Sequence, residues 1–376
     1  MRDYVEIGIG REARRTYDLA DISLVSNRRT RSSKDVSTQW HIDAYTFDIP
    51  VVAHPTDALT TPEFVIEMGK QGGLGVINAE GLWGRHEDLD AAIAEVTQNA
   101  SDLSVLQRLH AAPVNTELLS ERIREVRESG VTVAVRVSPQ NARELAPVVI
   151  AAGAELLFIQ GTLISAEHVS TGGEPLNLKE FIGKLEIPVI AGGVADYTTA
   201  LHLMRTGAAG VIVGGGVNTN AETVGIDIPL ATAIADVSAA RRDYLDETGG
   251  RYVHILADDD LESSADMAKA IACGADAVVL GPLLAQAKEA GANGFYWPAT
   301  AGHPRFPRGV VEYAGVLDFD VEALDDDSAP SLETVLHGPS NEPFGQLNLV
   351  GGLRRAMAKC GYTDLKSFQK VGLAVR

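Results

Sequence analysis

Residues 187–216 read IPVIAGGVADYTTALHLMRTGAAGVIVGGG. An apolar run rich in Val and Ile meets two glycines, and a stretch with helical spacing follows. Gly207 stops that stretch, and a second apolar run meets three more glycines. Neither run alternates apolar with polar residues, which is how parallel strands buried on both faces read. Strand, helix and strand within roughly 30 residues make one βαβ unit.

The same pattern recurs on both sides. IPVVAH at 49–54, GLGVIN at 73–78, VTVAVRV at 131–137 and ELLFIQG at 155–161 precede the unit; YVHILAD at 252–258 and AVVLG at 277–281 follow it. Segments with helical periodicity lie between them, such as TPEFVIEMGKQG, LLSERIREVRESG and SSADMAKAIACG, each ending at glycine. Eight such units over about 230 residues predict an α/β fold, a (β/α)₈ TIM barrel. A doubly wound open sheet shows the same alternation and is the rival architecture. Residues 1–48 read as an N-terminal arm with the basic cluster Arg28-Arg29-Thr30-Arg31, expected to cover the barrel bottom or an edge. Residues 49–376 read as a single barrel domain. Within it, 79–130 hold two helical patterns joined around SVLQRLHAAPVN. Residues 283–345, rich in Gly, Pro and acid and including Asp325-Asp326-Asp327, form a long flap-like loop, and C-terminal helices end the chain.

Composition limits the partners. With 32 Lys+Arg against 51 Asp+Glu, the 376-residue chain carries a formal charge of −19. Its long-range field opposes both nucleic acid and anionic membranes, so neither is expected as a partner. Two cysteines, Cys273 and Cys360, make neither a disulfide scaffold nor a thiolate cluster. No apolar run approaches the length of a membrane span and no secretory leader is visible, so a cytoplasmic protein is expected. No metal-ligand spacing appears, and no metal is expected.

In a barrel the chemistry sits where the strands end. Candidate residues there are His54 and Asp57, Asn78 and Glu80, Arg136, Gln160 and Thr162, Gly193, Gly214 and Gly216, Asp258 to Asp260, and Gly281. Glycines at such turns either let the backbone approach a ligand closely or simply turn the chain. Asp258 ends an apolar strand and reads as an acceptor for sugar hydroxyls, with helix N-capping as the rival role. Asp57 reads equally as a cap or a ligand contact. His54 has no assigned partner and reads as a structural histidine, and both cysteines read as structural.

Several segments in order carry a family resemblance: RRTYDLADISLVSNRRTRSS, DIPVVAHPTDALTTPEFVIEMGKQGGLGVIN, the 187–216 unit, GGRYVHILADDDLESSADMAKAIACGADAVVLG and NLVGGLRRAMAKCGYTDLKSFQKV. The chain resembles the IMP dehydrogenase and GMP reductase family, specifically its short actinobacterial branch. The resemblance covers nearly everything except 283–345. It implies a (β/α)₈ barrel, usually a homotetramer, that binds a purine nucleotide monophosphate and NAD or NADP, with no flavin. IMP dehydrogenases usually carry CBS domains between the second and third strands, and 79–130 is too short to hold them. The resemblance places substrate at Asp258, Gly193, Gly214, Gly216 and Gly281, and the cofactor at Gln160 and Thr162.

The resemblance also implies a catalytic cysteine after the sixth strand, in a G-P-G-S-x-C-T-T-R pattern, whose thiolate adds to the purine. Here that loop reads GGGVNTNAETVGIDIPLATAI, and Asn218 and Thr219 occupy the cysteine region. The Asp-Gly-Gly of the seventh strand becomes Asp258-Asp259-Asp260, and the Gly-Ser of the eighth becomes Gly281-Pro282. Two functions follow as expectations: a purine-nucleotide oxidoreductase, or a catalytically silent nucleotide-binding or regulatory homologue. A flavin-dependent barrel is a third reading, since paired Gly-rich strand ends suit a flavin phosphate. In such barrels, however, the pair ends the chain of strands.

Overall fold

The structure, a computed structural model, describes residues 3–165, 176–314 and 329–376. Eight parallel strands close into a barrel: β1 Val51–Ala53, β2 Leu74–Asn78, β3 Ala134–Val137, β4 Leu156–Gln160, β5 Val189–Val194, β6 Gly210–Val213, β7 His254–Asp258 and β8 Ala277–Leu280. Closure comes from β8 against β1, with Val278, Val279 and Leu280 opposite Val51, Val52 and Ala53. A doubly wound sheet would leave two open edges, so the closed register decides for the barrel.

Nearly every strand residue is buried, which is why the sequence shows unbroken Val/Ile/Leu runs. The outer helices begin at side-chain caps that free the first turn from unsatisfied N–H groups. Asp196 accepts from Thr199 N–H at 2.9 Å to start Tyr197–Arg205, and Ser263 accepts from Asp266 N–H at 3.3 Å to start Ser264–Cys273.

The N-terminal segment is ordered by what it covers. A hairpin pairs Trp40–Ile42 with Tyr45–Phe47, its rings stacked at 5.2 Å. Its Ile42 lies against Gly210 at the start of β6, so it closes the N-terminal end of the barrel. Ile22–Leu24 pairs antiparallel with Leu373–Val375. The basic cluster runs beside the end of helix Leu349–Lys359, where Asn27 and Arg31 N–H donate to Lys359 and Ala358 carbonyls. Positive side chains there complement the negative end of that helix.

Two expectations need correction. Residues 79–130 hold three α-helices, not two: Leu89–Gln98, Leu103–His110 and Thr116–Glu128. The middle one is too short for its period to stand out, and it was read as a connection. Residues 283–345 are also not one loop. Helix Pro282–Ala285 follows β8 directly, Phe295–Tyr296 pairs with Glu312–Tyr313, and Leu332–His337 is helical. Glycine and proline content hid the buried Tyr296 and Trp297 that fold this segment onto the barrel. The triplet Asp325-Asp326-Asp327 lies outside the described residues.

Candidate functional site

The carboxyl ends of the strands converge on a polar cluster that water barely reaches. Asp258, at the end of β7, is 1% exposed and accepts from Gln160 Nε2, at the end of β4, at 2.5 Å. His54, just after β1, places Nε2 at 3.8 Å from Asp258 Oδ2 and Nδ1 at 3.2 Å from the Tyr296 hydroxyl. Burial, reinforced by the neighbouring Asp259, pushes the Asp258 carboxyl up to about 8. Burial, with Arg136 adding repulsion, pushes the His54 imidazole down to about 3. At neutral pH the cluster is therefore a protonated acid beside a neutral imidazole.

This has a measurable consequence. Between 3.8 and about 8 the folded protein holds a proton on Asp258 that the unfolded chain has released. Stability therefore falls as pH rises through that window, by about 1.4 kcal/mol per pH unit from this group. His54 acts in the opposite sense, costing stability as pH falls from 6.5 toward about 3. Asp258→Asn keeps an acceptor for Gln160 and cannot ionise. Its melting temperature, relative to the unsubstituted protein, should rise steadily from mildly acidic pH to about 8 and then level off. A difference that does not change with pH would refute the buried neutral carboxyl.

A second network orders the adjacent rim. Arg136, at β3, donates to the Gln160 carbonyl at 2.7 Å and to Asn78 Oδ1 at 3.2 Å, and pairs with Glu80 at 3.3 Å. Glu80 also accepts from the Ser138 hydroxyl at 2.9 Å, from Ser138 N–H and from Asn141. Burial alone would raise this carboxyl, but Arg136 and the three donors outweigh it and hold it below the ordinary range. Asp57 is not a helix cap for the residues that follow it. Thr61 caps helix Pro62–Lys70, while Asp57 accepts from Leu82 N–H at 2.7 Å across the rim. Asp258 likewise caps nothing, since Ser263 starts the next helix.

The glycines meet at this end of the barrel, but they face one another. Gly193 N–H donates to Gly161 O at 2.8 Å, Gly214 N–H to Val194 O at 2.9 Å, and Gly216 N–H to Asp258 O at 2.9 Å. A Cβ on Gly193 would stand 1.6 Å from Gly214 O, and one on Gly281 would stand 2.6 Å from the Tyr296 hydroxyl oxygen. Donors that a phosphate would need are thus already bonded within the protein. Asp259 and Asp260 stand beside them, Asp259 pushed up by burial to about 7. A phosphate dianion there meets repulsion rather than a nest of N–H groups.

Gln160 and Thr162 line the remaining space with His54, Arg136 and the strap Pro298–Thr300. That cavity is about 20 Å³, room for a water molecule and not for a nicotinamide ring. Thr56 holds the strap down by donating to the Trp297 carbonyl. Gln160 Oε1 is buried without a partner and is the one polar atom here that awaits a donor. In this conformation the residues present fit neither a nucleotide phosphate nor a dinucleotide.

Asn218 is turned into its own loop. Its Nδ2 donates to Gly216 O at 2.6 Å and its Oδ1 accepts from Asn220 N–H at 2.8 Å. Thr219 precedes the short helix Asn220–Val224 without capping it. Cys273 lies at the far end of the barrel, its thiol pushed up by burial to about 12, and Cys360 is buried at the end of helix Leu349–Lys359. Sequence reasoning missed Tyr296, Trp297 and the strap. The cluster FYWP at 295–298, apolar and aromatic inside a Gly-rich stretch, was the available signal. Among the described residues, no three His, Cys, Asp or Glu side chains are placed to hold a metal. No helix there is long and apolar enough to cross a membrane.

Comparison with known proteins agrees with this architecture. A family model described as IMP dehydrogenase / GMP reductase domain matches residues 15–305. An uncharacterized oxidoreductase of Mycobacterium tuberculosis is 62% identical over 382 residues, covering 99% of each chain. The inosine-5'-monophosphate dehydrogenase of Methanocaldococcus jannaschii is 25% identical over 469 residues, covering 96% of this chain and 92% of that one. The crystal structure of an IMP dehydrogenase/GMP reductase-like protein from Corynebacterium glutamicum superposes with a TM-score of 0.93 at 68% identity, covering 100% of this chain and 98% of that one. The chain belongs to the IMP dehydrogenase / GMP reductase family, an oxidoreductase family, and has its (β/α)₈ barrel.

Proposed function

We propose that this chain is a catalytically silent, regulatory member of its family, with the barrel kept and the thiolate-dependent hydride transfer lost. One observation carries the reading: the position expected to hold the nucleophile is Asn218, whose amide is bonded into its own loop. An amide neither adds to a purine ring nor leaves it, so the covalent step has no agent. The internally bonded glycine N–H groups and the seated strap support the same conclusion.

A second reading has its own observation. The buried Asp258, His54 and Tyr296 line up within hydrogen-bond reach or slightly beyond it, at a barrel mouth where such groups usually serve chemistry. On this reading the chain is an oxidoreductase acting on a purine nucleotide monophosphate with NAD or NADP, once the strap lifts. A homotetramer belongs to both readings, and light scattering checks it.

Purified protein mixed with IMP, XMP or GMP and either nicotinamide cofactor should show no change in reduced-cofactor absorbance. Asn218→Cys should show none either, because the phosphate donors stay occupied. Turnover by the unsubstituted protein would overturn the silent reading in favour of the second. Turnover by Asn218→Cys alone would mean the rest of the site is still tuned for hydride transfer. A colourless preparation removes the flavin reading.

A further inference from the structure

At the opposite end of the barrel from the strap lies a pocket of about 510 Å³, within the size range of small-molecule sites. Arg241, Arg242, Lys366 and Lys370 line it, with Tyr252 and Cys273, and no carboxylate does. In a chain with a formal charge of −19, four cations converging on a wall without acids is a local reversal of the overall field.

One of the four is accounted for by structure. Arg241 pairs with Asp276 at 2.7 Å and donates to the Tyr252 hydroxyl at 2.6 Å, and Gln369 donates to the same carboxylate at 3.1 Å. Asp276 therefore neutralises Arg241 and lies behind the wall. Arg242, Lys366 and Lys370 remain as net positive charge around the opening. Lys366 is held 3.6 Å from the Tyr252 ring centroid, which fixes its ammonium at the pocket's edge. Partial burial, together with Arg241, lowers that ammonium to about 8. Crowded, partly desolvated cations with no carboxylate on the wall are relieved when an anion joins them.

We infer that this pocket binds a small anion of high charge density, a diphosphate-bearing molecule, through Arg242, Lys366 and Lys370. The site is separate from the barrel mouth and does not depend on which reading of the mouth holds. It gives a family member without the catalytic cysteine a place to sense a phosphorylated metabolite. A diphosphate suits three convergent cations better than a monophosphate does, because its charge spreads over two phosphoryl groups.

Calorimetric titration of the full chain with inorganic pyrophosphate tests this, with ADP and sulfate as parallel arms. Pyrophosphate should bind with a single site and weaken as salt is raised. The triple variant Arg242→Gln/Lys366→Gln/Lys370→Gln changes only exposed side chains and should keep its melting temperature while losing about tenfold or more in affinity. Tighter binding of ADP than of pyrophosphate would assign the ligand to the nucleotides; equal binding would assign it to the diphosphate group alone. Acylation followed by peptide mass mapping gives the location. Lys366 and Lys370 should be protected by pyrophosphate, while Lys34 and Lys179 should not. No binding up to millimolar pyrophosphate, or binding unchanged in the triple variant, would overturn the inference.

Discussion

Gly214→Ala is expected to yield no soluble, folded protein. The residue ends β6 with φ near +102°, a conformation that side chains rarely adopt, and its missing Cβ would stand 2.0 Å from the Asp258 carbonyl oxygen. Nothing at that contact can swing aside. One partner is the backbone of β7, and the Gly214 N–H is tied to Val194 O at 2.9 Å on the other side. Relief requires moving one strand end against another, which breaks the barrel register near the closed mouth. We expect a loss well beyond about 4 kcal/mol, most of what a domain of this kind has. Gly8→Ala is the control, because it meets nothing within 4 Å on an exposed hairpin and should leave the thermal midpoint unchanged. A Gly214→Ala protein that melts within a few degrees of the original would mean that the two strand ends do not touch.

Arg241→Met should be the most damaging substitution at the other end of the barrel. The guanidinium is buried, bonds Asp276 and Tyr252, and also donates to the Gly274 carbonyl at 3.1 Å. Removing it strands the Asp276 carboxylate in a low-dielectric site. Breaking one side of a buried pair costs about 3–5 kcal/mol. Urea denaturation should report that loss as a lower midpoint with little change in slope. Asp276→Asn added to Arg241→Met removes the stranded charge and keeps an acceptor for Ile255 N–H, so the double variant should sit above the single one. A double variant less stable than Arg241→Met would mean that the unpaired charge was not the source of the loss.

The two substitutions also mark how much a sequence reader can see. Gly214 was singled out as a glycine at a strand end, but whether it faced a ligand or its own chain was undecided. Only the position of Asp258 O, brought there by a neighbouring strand, answers that. Arg241 drew no attention, because its partner Asp276 lies 35 positions away and helix Leu230–Thr248 gives no hint of which arginine turns inward. Arg242, next in sequence, faces the pocket opening instead. The strap was hidden for the same reason, since Thr56 and Trp297 meet across 241 positions.

The sequence by itself determined the strand count, the barrel and the loss of the nucleophile. Burial on both faces prints as uninterrupted Val, Ile and Leu, and covalent chemistry demands a particular atom at a particular place, so its replacement by Asn218 is visible without coordinates. Tertiary structure alone decided that the glycine N–H groups are already bonded, that Pro298–Thr300 narrows the mouth to about 20 Å³, and that Arg242, Lys366 and Lys370 share a pocket. Those facts depend on contacts between residues far apart in the chain. Local spacing records which side chains are present and which way each element faces, and it does not record what the rest of the chain places in front of them.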